Sequence, residues 1–191
     1  MPAQAGRAAL MALTATVYNV EIDLADSDRG VYESLQLRVA RHPSESEAYL
    51  VTRLLAYALE YTEGIEFAPG GLSDADQPAI LVKDLTGRVR AWIEVGAPDP
   101  ARVHRAAKAT DRVAIYIGRN VRQLLEQFAG QKVHRADGID LFEIDKALVD
   151  ALGERLERRM SFALSVTDRE LFVSIGTDTL TGTVTRHPLP A

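Results

Sequence analysis

Apolar and polar residues alternate along LTATVYNVEIDLAD, residues 13–26, and this period of two in a stretch rich in Thr, Val, Tyr and Ile predicts a strand. After the turn SDRG, the segment VYESLQLRVARH (31–42) places Leu35, Leu37 and Val39 on one side and Tyr32, Ser34, Gln36 and Arg38 on the other. The two segments predict an antiparallel hairpin. The period then changes. Residues 43–64 carry apolar residues at 50, 51, 54, 55, 58 and 59, which is helical spacing. Ser44 and Glu47 fit a capping box at the start of this helix, and Gly64 fits its stop.

The loop APGGLSDADQP (68–78) leads to AILVKDLTGRVRAWIEVG (79–96), which predicts a second hairpin about the turn DLTG. Residues 100–110 predict a short helix with Arg102, Arg105 and Lys108 three apart. RVAIYIG (112–118) is nearly all apolar, as in a strand covered on both faces. NVRQLLEQFAG predicts a helix, GIDLFEI (138–144) a strand, and DKALVDALGERLERRM (145–160) an amphipathic helix started by Asp145. The remainder, from Ser161, predicts two or three antiparallel strands. The order ββ–α–ββ–α–β–α–β–α–βββ implies an α/β domain with a mixed central sheet flanked by helices and antiparallel hairpins at its edges.

Composition narrows this picture in three ways. At 191 residues, with 47% hydrophobic and 26% charged residues, the chain is expected to form a single domain over 11–191, after a disordered extension over 1–10. The absence of cysteine excludes disulfides, thiolate zinc sites and a cysteine nucleophile, and fits a cytoplasmic location. The net charge of −5 argues against a broad basic surface for nucleic acid, though a local basic groove is compatible with it. No apolar run approaches the roughly 20 residues of a membrane span.

The chemistry gathers around Glu94. On strand 88–95, Val89, Ala91, Ile93 and Val95 face one way and Arg90, Trp92 and Glu94 the other. Glu94 is then either a surface charge or one member of a site; Trp92 beside it favours a site. Asp74 and Asp76 precede the partner strand, where they read either as turn residues or, for Asp76, as a partner of Glu94. Two oxygen ligands on adjacent strand ends would suit Mg²⁺ or Mn²⁺. Arg105 and Lys108 on the following helix could stabilise a phosphate, or form a solvated face. Arg53, inside a helix, could be held by Glu45 or Glu94 as a structural ion pair. His104, His134 and His187 suggest no zinc site, no Gly-x-Ser-x-Gly elbow exists, and GLSDAD and GTDTLTG read as turns.

RHPSE (41–45), TRLLAYALEY (52–61), DQPAIL (76–81), WIEVGAP (92–98) and VAIYIG (113–118) together resemble the YaeQ family. That resemblance implies a variant of the PD-(D/E)XK nuclease-like fold, in which acids and a cation surround a metal. It implies Glu45, Asp76 and Glu94 as ligands for Mg²⁺ or Mn²⁺, with Lys108 or Arg105 as the catalytic cation. His42, Arg53 and Trp92 would complete the polar cluster. The chain departs from the motif twice: Pro78 is followed by Ala79 rather than Asp, and Gly96 stands where the acid-x-Lys lysine belongs. Two functions follow as expectations: a metal-dependent phosphodiesterase acting on nucleic acid, or a non-catalytic module of the same fold that binds nucleic acid or a protein partner. No organic cofactor is indicated.

Overall fold

A computed structural model describes residues 15–69 and 76–190. The expected extension over 1–10, and Asp74, lie outside the described residues. β1 (Thr16–Asp26) and β2 (Val31–Arg41) form the first hairpin, with Thr16 opposite Arg41 and Asp26 opposite Val31. Leu35, Leu37 and Val39 point into the core and Tyr32, Ser34, Gln36 and Arg38 are exposed, as the alternation requires.

Helix α1 (Glu47–Leu59) follows. Its cap is Ser46, whose hydroxyl accepts from the Tyr49 N–H, rather than Ser44. Ser44 is occupied in the preceding turn, where its hydroxyl bonds the His42 ring at 2.6 Å. Gly64 does not end the helix, which closes at Leu59. Gly64 instead starts a short edge strand, β3 (Ile65–Phe67), with φ at +83°. A Cβ on Gly64 would sit 2.0 Å from the Lys83 carbonyl oxygen, so close pairing of β3 to β4 (Ile80–Lys83) depends on the missing side chain.

β5 (Val89–Val95) pairs antiparallel with β4 and parallel with β6 (Arg112–Ile117), which pairs parallel with β7 (Asp140–Ile144). Helices α2 (Pro100–Ala109) and α3 (Arg122–Phe128) make the crossovers. α4 (Lys146–Gly153) is capped by Asp145 as expected, but it ends at Gly153. Residues from Arg159 onward belong instead to β8 (Arg159–Thr167), which runs parallel to β1. β9 (Glu170–Ile175) and β10 (Asp178–His187) complete the chain, and only Gly176 and Thr177 of GTDTLTG form the turn.

All ten strands belong to one mixed sheet in the order β2-β1-β8-β9-β10-β7-β6-β5-β4-β3. β10 joins its two halves, pairing with β9 over its first part and with β7 over Val184–His187. The sheet curls into a nearly closed, barrel-like layer, which corrects the expectation of a central sheet simply flanked by helices. The physical reason is α1. Eight of its thirteen residues are buried, from Leu50 to Ala58, far more than one amphipathic face would bury. β1, β2, β8 and β9 wrap it on one side, and β4, β5 and β6 cover it on the other, in a single hydrophobic core that also takes in α4.

A second, smaller core lies outside the curl. There Val103, Ala106 and Ala107 of α2 and Leu124 and Phe128 of α3 pack on Val113, Ile115 and Ile117 of β6. β6 therefore feeds both cores with alternate side chains, which explains its nearly continuous apolar sequence. No helix among the described residues is long and apolar enough to cross a membrane.

Candidate functional site

A cleft of about 500 Å³ opens at the carboxyl ends of the parallel strands β5 and β6, beside the N-termini of α1 and α4. Loops at the carboxyl ends of parallel strands are a recurrent ligand position, because the crossovers diverge there and leave a crevice. Gly118, just past β6, forms part of the wall. A Cβ at this position would lie 2.3 Å from the Thr52 hydroxyl and 3.1 Å from a Val149 methyl, so bare backbone is required where α1 and α4 meet the strand end.

Glu94 is 4% exposed and lines this cleft, so it is not a surface charge. Its carboxylate oxygen Oε1 accepts from the Trp92 indole at 2.6 Å and from Arg102 Nε at 2.5 Å. Arg102 also donates to the Gln77 carbonyl and lies over the Trp92 ring at 5.8 Å. The cation that serves Glu94 is therefore Arg102, not Arg105 or Lys108, both of which are exposed further along α2. Asp99 caps α2 by accepting from the Arg102 N–H, and Pro100 begins the helix. That cap fixes Arg102 in the first turn, the part of α2 closest to the strand end. The dipeptide Asp99-Pro100 carried the signal.

Glu45 and Arg53 form a second pair, sealed at 3% and 2% exposure. Arg53 reaches Glu45 at 3.2 Å and the Ala40 carbonyl at 2.6 Å, and its guanidinium lies between the rings of Tyr49 and Phe67, at 5.8 and 5.7 Å. Arg53 Nε has no hydrogen-bond partner among the described residues. Burial raises the Glu45 carboxyl above its ordinary 4.5, with Arg53, His42 and Arg41 pulling the other way, and burial likewise lowers Arg53. In both partners desolvation outweighs the mutual attraction.

The expected residues thus fall into two groups. His42, Glu45 and Arg53 gather at the start of α1; Trp92 and Glu94 gather with Arg102 at the cleft. Asp76 is exposed just ahead of Gln77. Among the described residues no three His, Asp or Glu side chains come together as a group able to hold a metal ion, so Glu45, Asp76 and Glu94 do not converge. The scattered histidines are partly reconciled: the His104 and His134 rings lie 6.4 Å apart, and His187 pairs with Glu143 at 2.8 Å.

Tyr49 stands between the two groups, and no sequence signal pointed to it. It lines the cleft and feels the charges of Glu45, Arg53, Glu94 and Arg102. Burial, the largest influence, pushes its phenol up to about 12, so the hydroxyl stays protonated through neutral pH.

The fold and cleft define a mixed α/β protein whose one sheet is rolled about a helix, with a crevice at its parallel strand ends. The chain belongs to the YaeQ family, whose model, described as YaeQ protein, matches residues 11–184. It is similar to an uncharacterized protein YaeQ of Salmonella typhi, with 29% identity over 86% of this chain and 91% of that protein. The uncharacterized protein YaeQ of Escherichia coli strain K12 is 28% identical over the same shares. Among solved structures, the YaeQ protein from Xanthomonas axonopodis pv. citri matches with a TM-score of 0.82 at 32% identity, covering 93% of this chain and all of that one (100%). The YaeQ protein from Pseudomonas syringae matches with a TM-score of 0.80 at 31% identity, covering 90% of this chain and 95% of that one.

Proposed function

We propose that this protein is a non-catalytic binding module on a nuclease-like fold, and that the cleft beside Glu94 receives its partner. One observation carries the reading: each buried acid of the expected metal site already has an arginine, Glu45 with Arg53 and Glu94 with Arg102. A carboxylate that bonds an arginine already has its charge offset, so a metal would have to compete with that arginine for it. The cleft volume falls within the range of small-molecule sites, and its walls mix apolar side chains with a few convergent polar ones.

The rival reading is a Mg²⁺- or Mn²⁺-dependent phosphodiesterase that uses Glu45, Asp76 and Glu94. It is favoured by the position of Glu94 at a strand end lining the cleft. Calorimetric titration with Mn²⁺, together with unfolding of wild type and Glu94→Ala, separates the two. The binding reading expects no saturable Mn²⁺ binding and a destabilised variant, because Arg102 loses its partner. Saturable binding in the wild type, lost in a variant of unchanged stability, would establish the metal site instead.

A further inference from the structure

We infer that the cleft takes a small amphipathic anion, its charged head at Arg119 and its apolar body against Val95, Ala97 and Pro98. This rests on the reading of the cleft as a binding site and adds the chemical class of the ligand.

The charges around the cleft are unlike those of the molecule. The chain as a whole carries −5, yet the cleft lining holds Arg102, Arg119 and Lys146 against Glu94 and Asp150. Two of these cations are already matched, Arg102 by Glu94 and Lys146 by Asp150. Arg119 is exposed immediately after β6, and no ion pair among the described residues uses it. Among the described residues one positive charge therefore remains at the mouth of a cleft in an acidic protein.

Two further features favour an anion. The first turn of the thirteen-residue helix α1, through Ser46, Ala48 and Tyr49, forms part of the wall, so the positive end of the helix dipole faces the cleft. Tyr49 lines the same space, and its hydroxyl stays protonated at neutral pH, the form that donates to an oxyanion. Burial and neighbouring charges, rather than a side-chain hydrogen bond, set its proton affinity. Glu94 does not repel the guest, since Arg102 neutralises it. The apolar part of the lining, from Val95 to Pro98, then favours a guest with an apolar body over a bare inorganic anion, because such a body covers apolar surface that an inorganic ion does not.

The test compares three probes that share one body and differ in the head: naphthoate, naphthyl phosphate and neutral naphthamide, with inorganic phosphate alongside. Calorimetric titration of the full chain should show saturable binding of at least one naphthyl anion, about tenfold tighter than naphthamide, the effect of one charge-assisted hydrogen bond. Arg119→Ala should remove that preference, Arg119→Lys should keep part of it, and Arg105→Ala should leave it intact. Which anion binds better distinguishes a carboxylate source from a phosphate source. Equal binding of all three naphthyl probes would overturn the anion inference and leave the cleft as a binding site. Inorganic phosphate binding as tightly as naphthyl phosphate would overturn the amphipathic body. No saturable binding by any probe would sink both the inference and the reading beneath it.

Discussion

The pairs Glu45–Arg53 and Glu94–Arg102 contain the same chemistry in different surroundings. The first is closed on every side: Arg53 and Glu45 side chains are 3% and 0% exposed, and two aromatic rings cover the guanidinium. The second lies on a cleft wall, with Arg102 at 18% and Glu94 at 6%. A sealed pair loses most of its hydration and depends wholly on its partner, whereas a pair beside open space can recover water when a partner is removed. The difference separates a structural role from a ligand-facing one. Glu45–Arg53 joins α1 to the end of β2 through the Ala40 carbonyl. Glu94–Arg102 shapes and neutralises a wall.

The sharpest way to break this comparison is Glu45→Ala. It leaves the Arg53 guanidinium buried with only the Ala40 carbonyl, and the expected loss is ~3–5 kcal/mol by denaturant unfolding. A loss below that of Glu94→Ala would mean that water reaches Arg53 and that the pair is not sealed. Glu94→Ala should cost less, about 2 kcal/mol, because Arg102 retains the Gln77 carbonyl, the Trp92 face and access to the cleft. The Trp92 indole also loses its acceptor, so the intrinsic fluorescence of the single tryptophan should shift in the folded variant. An unchanged emission spectrum together with unchanged stability would remove the structural case for that pair.

A pH series sharpens the same contrast. Burial holds the Glu45 carboxyl above 4.5 in the folded protein, so the native state keeps this proton to higher pH than the unfolded chain does. The stability contributed by the group is then fully present below 4.5 and is lost as the pH rises through the raised value. The double variant Glu45→Leu, Arg53→Met lacks this proton and replaces the pair with apolar side chains, an exchange that is often neutral or stabilising. Its stability should gain on that of the wild type as pH rises from 4.5 toward neutrality. A difference that is flat with pH would mean that the Arg53 attraction offsets the burial.

The sequence pattern and the fold agree where contacts are local or periodic. Leu35, Leu37 and Val39 marked the inner face of β2, and the helical spacing from Leu50 to Leu59 marked α1. Failures came from competition and from distance. Ser44 and Ser46 can both cap α1; the His42–Ser44 turn decides between them, and a capping box does not register that turn. The segment GERLERRM has helix-forming residues, but Met160 pairs with Val20 of β1, some 140 residues away in sequence, and that pairing overrides local propensity. The three residues of β3 are too few to display any period. The closure of the sheet about α1 rests on the β1–β8 and β10–β7 pairings, which no local pattern encodes. For the site, the sequence pointed to Glu94, Trp92, Glu45 and Arg53 as polar residues in company, but it could not assign which acid met which base.

That last gap gives the smallest expected effect and a useful control. Arg102, Arg105 and Lys108 recur every three residues, and nothing in the spacing itself chooses among them. The Asp99 cap places Arg102 at the strand end, while each step of three along α2 moves the next cation away from Glu94 and toward solvent. Arg105→Ala and Lys108→Ala should therefore change stability by no more than ~0.5 kcal/mol and leave binding in the cleft unaltered. Arg102→Ala should cost more than either, because it leaves Glu94 buried with the Trp92 indole as its remaining donor of the two. If Lys108→Ala weakened ligand binding more than Arg102→Ala did, the working cation would lie on the outer part of α2. The site would then have to extend beyond the cleft, along the helix.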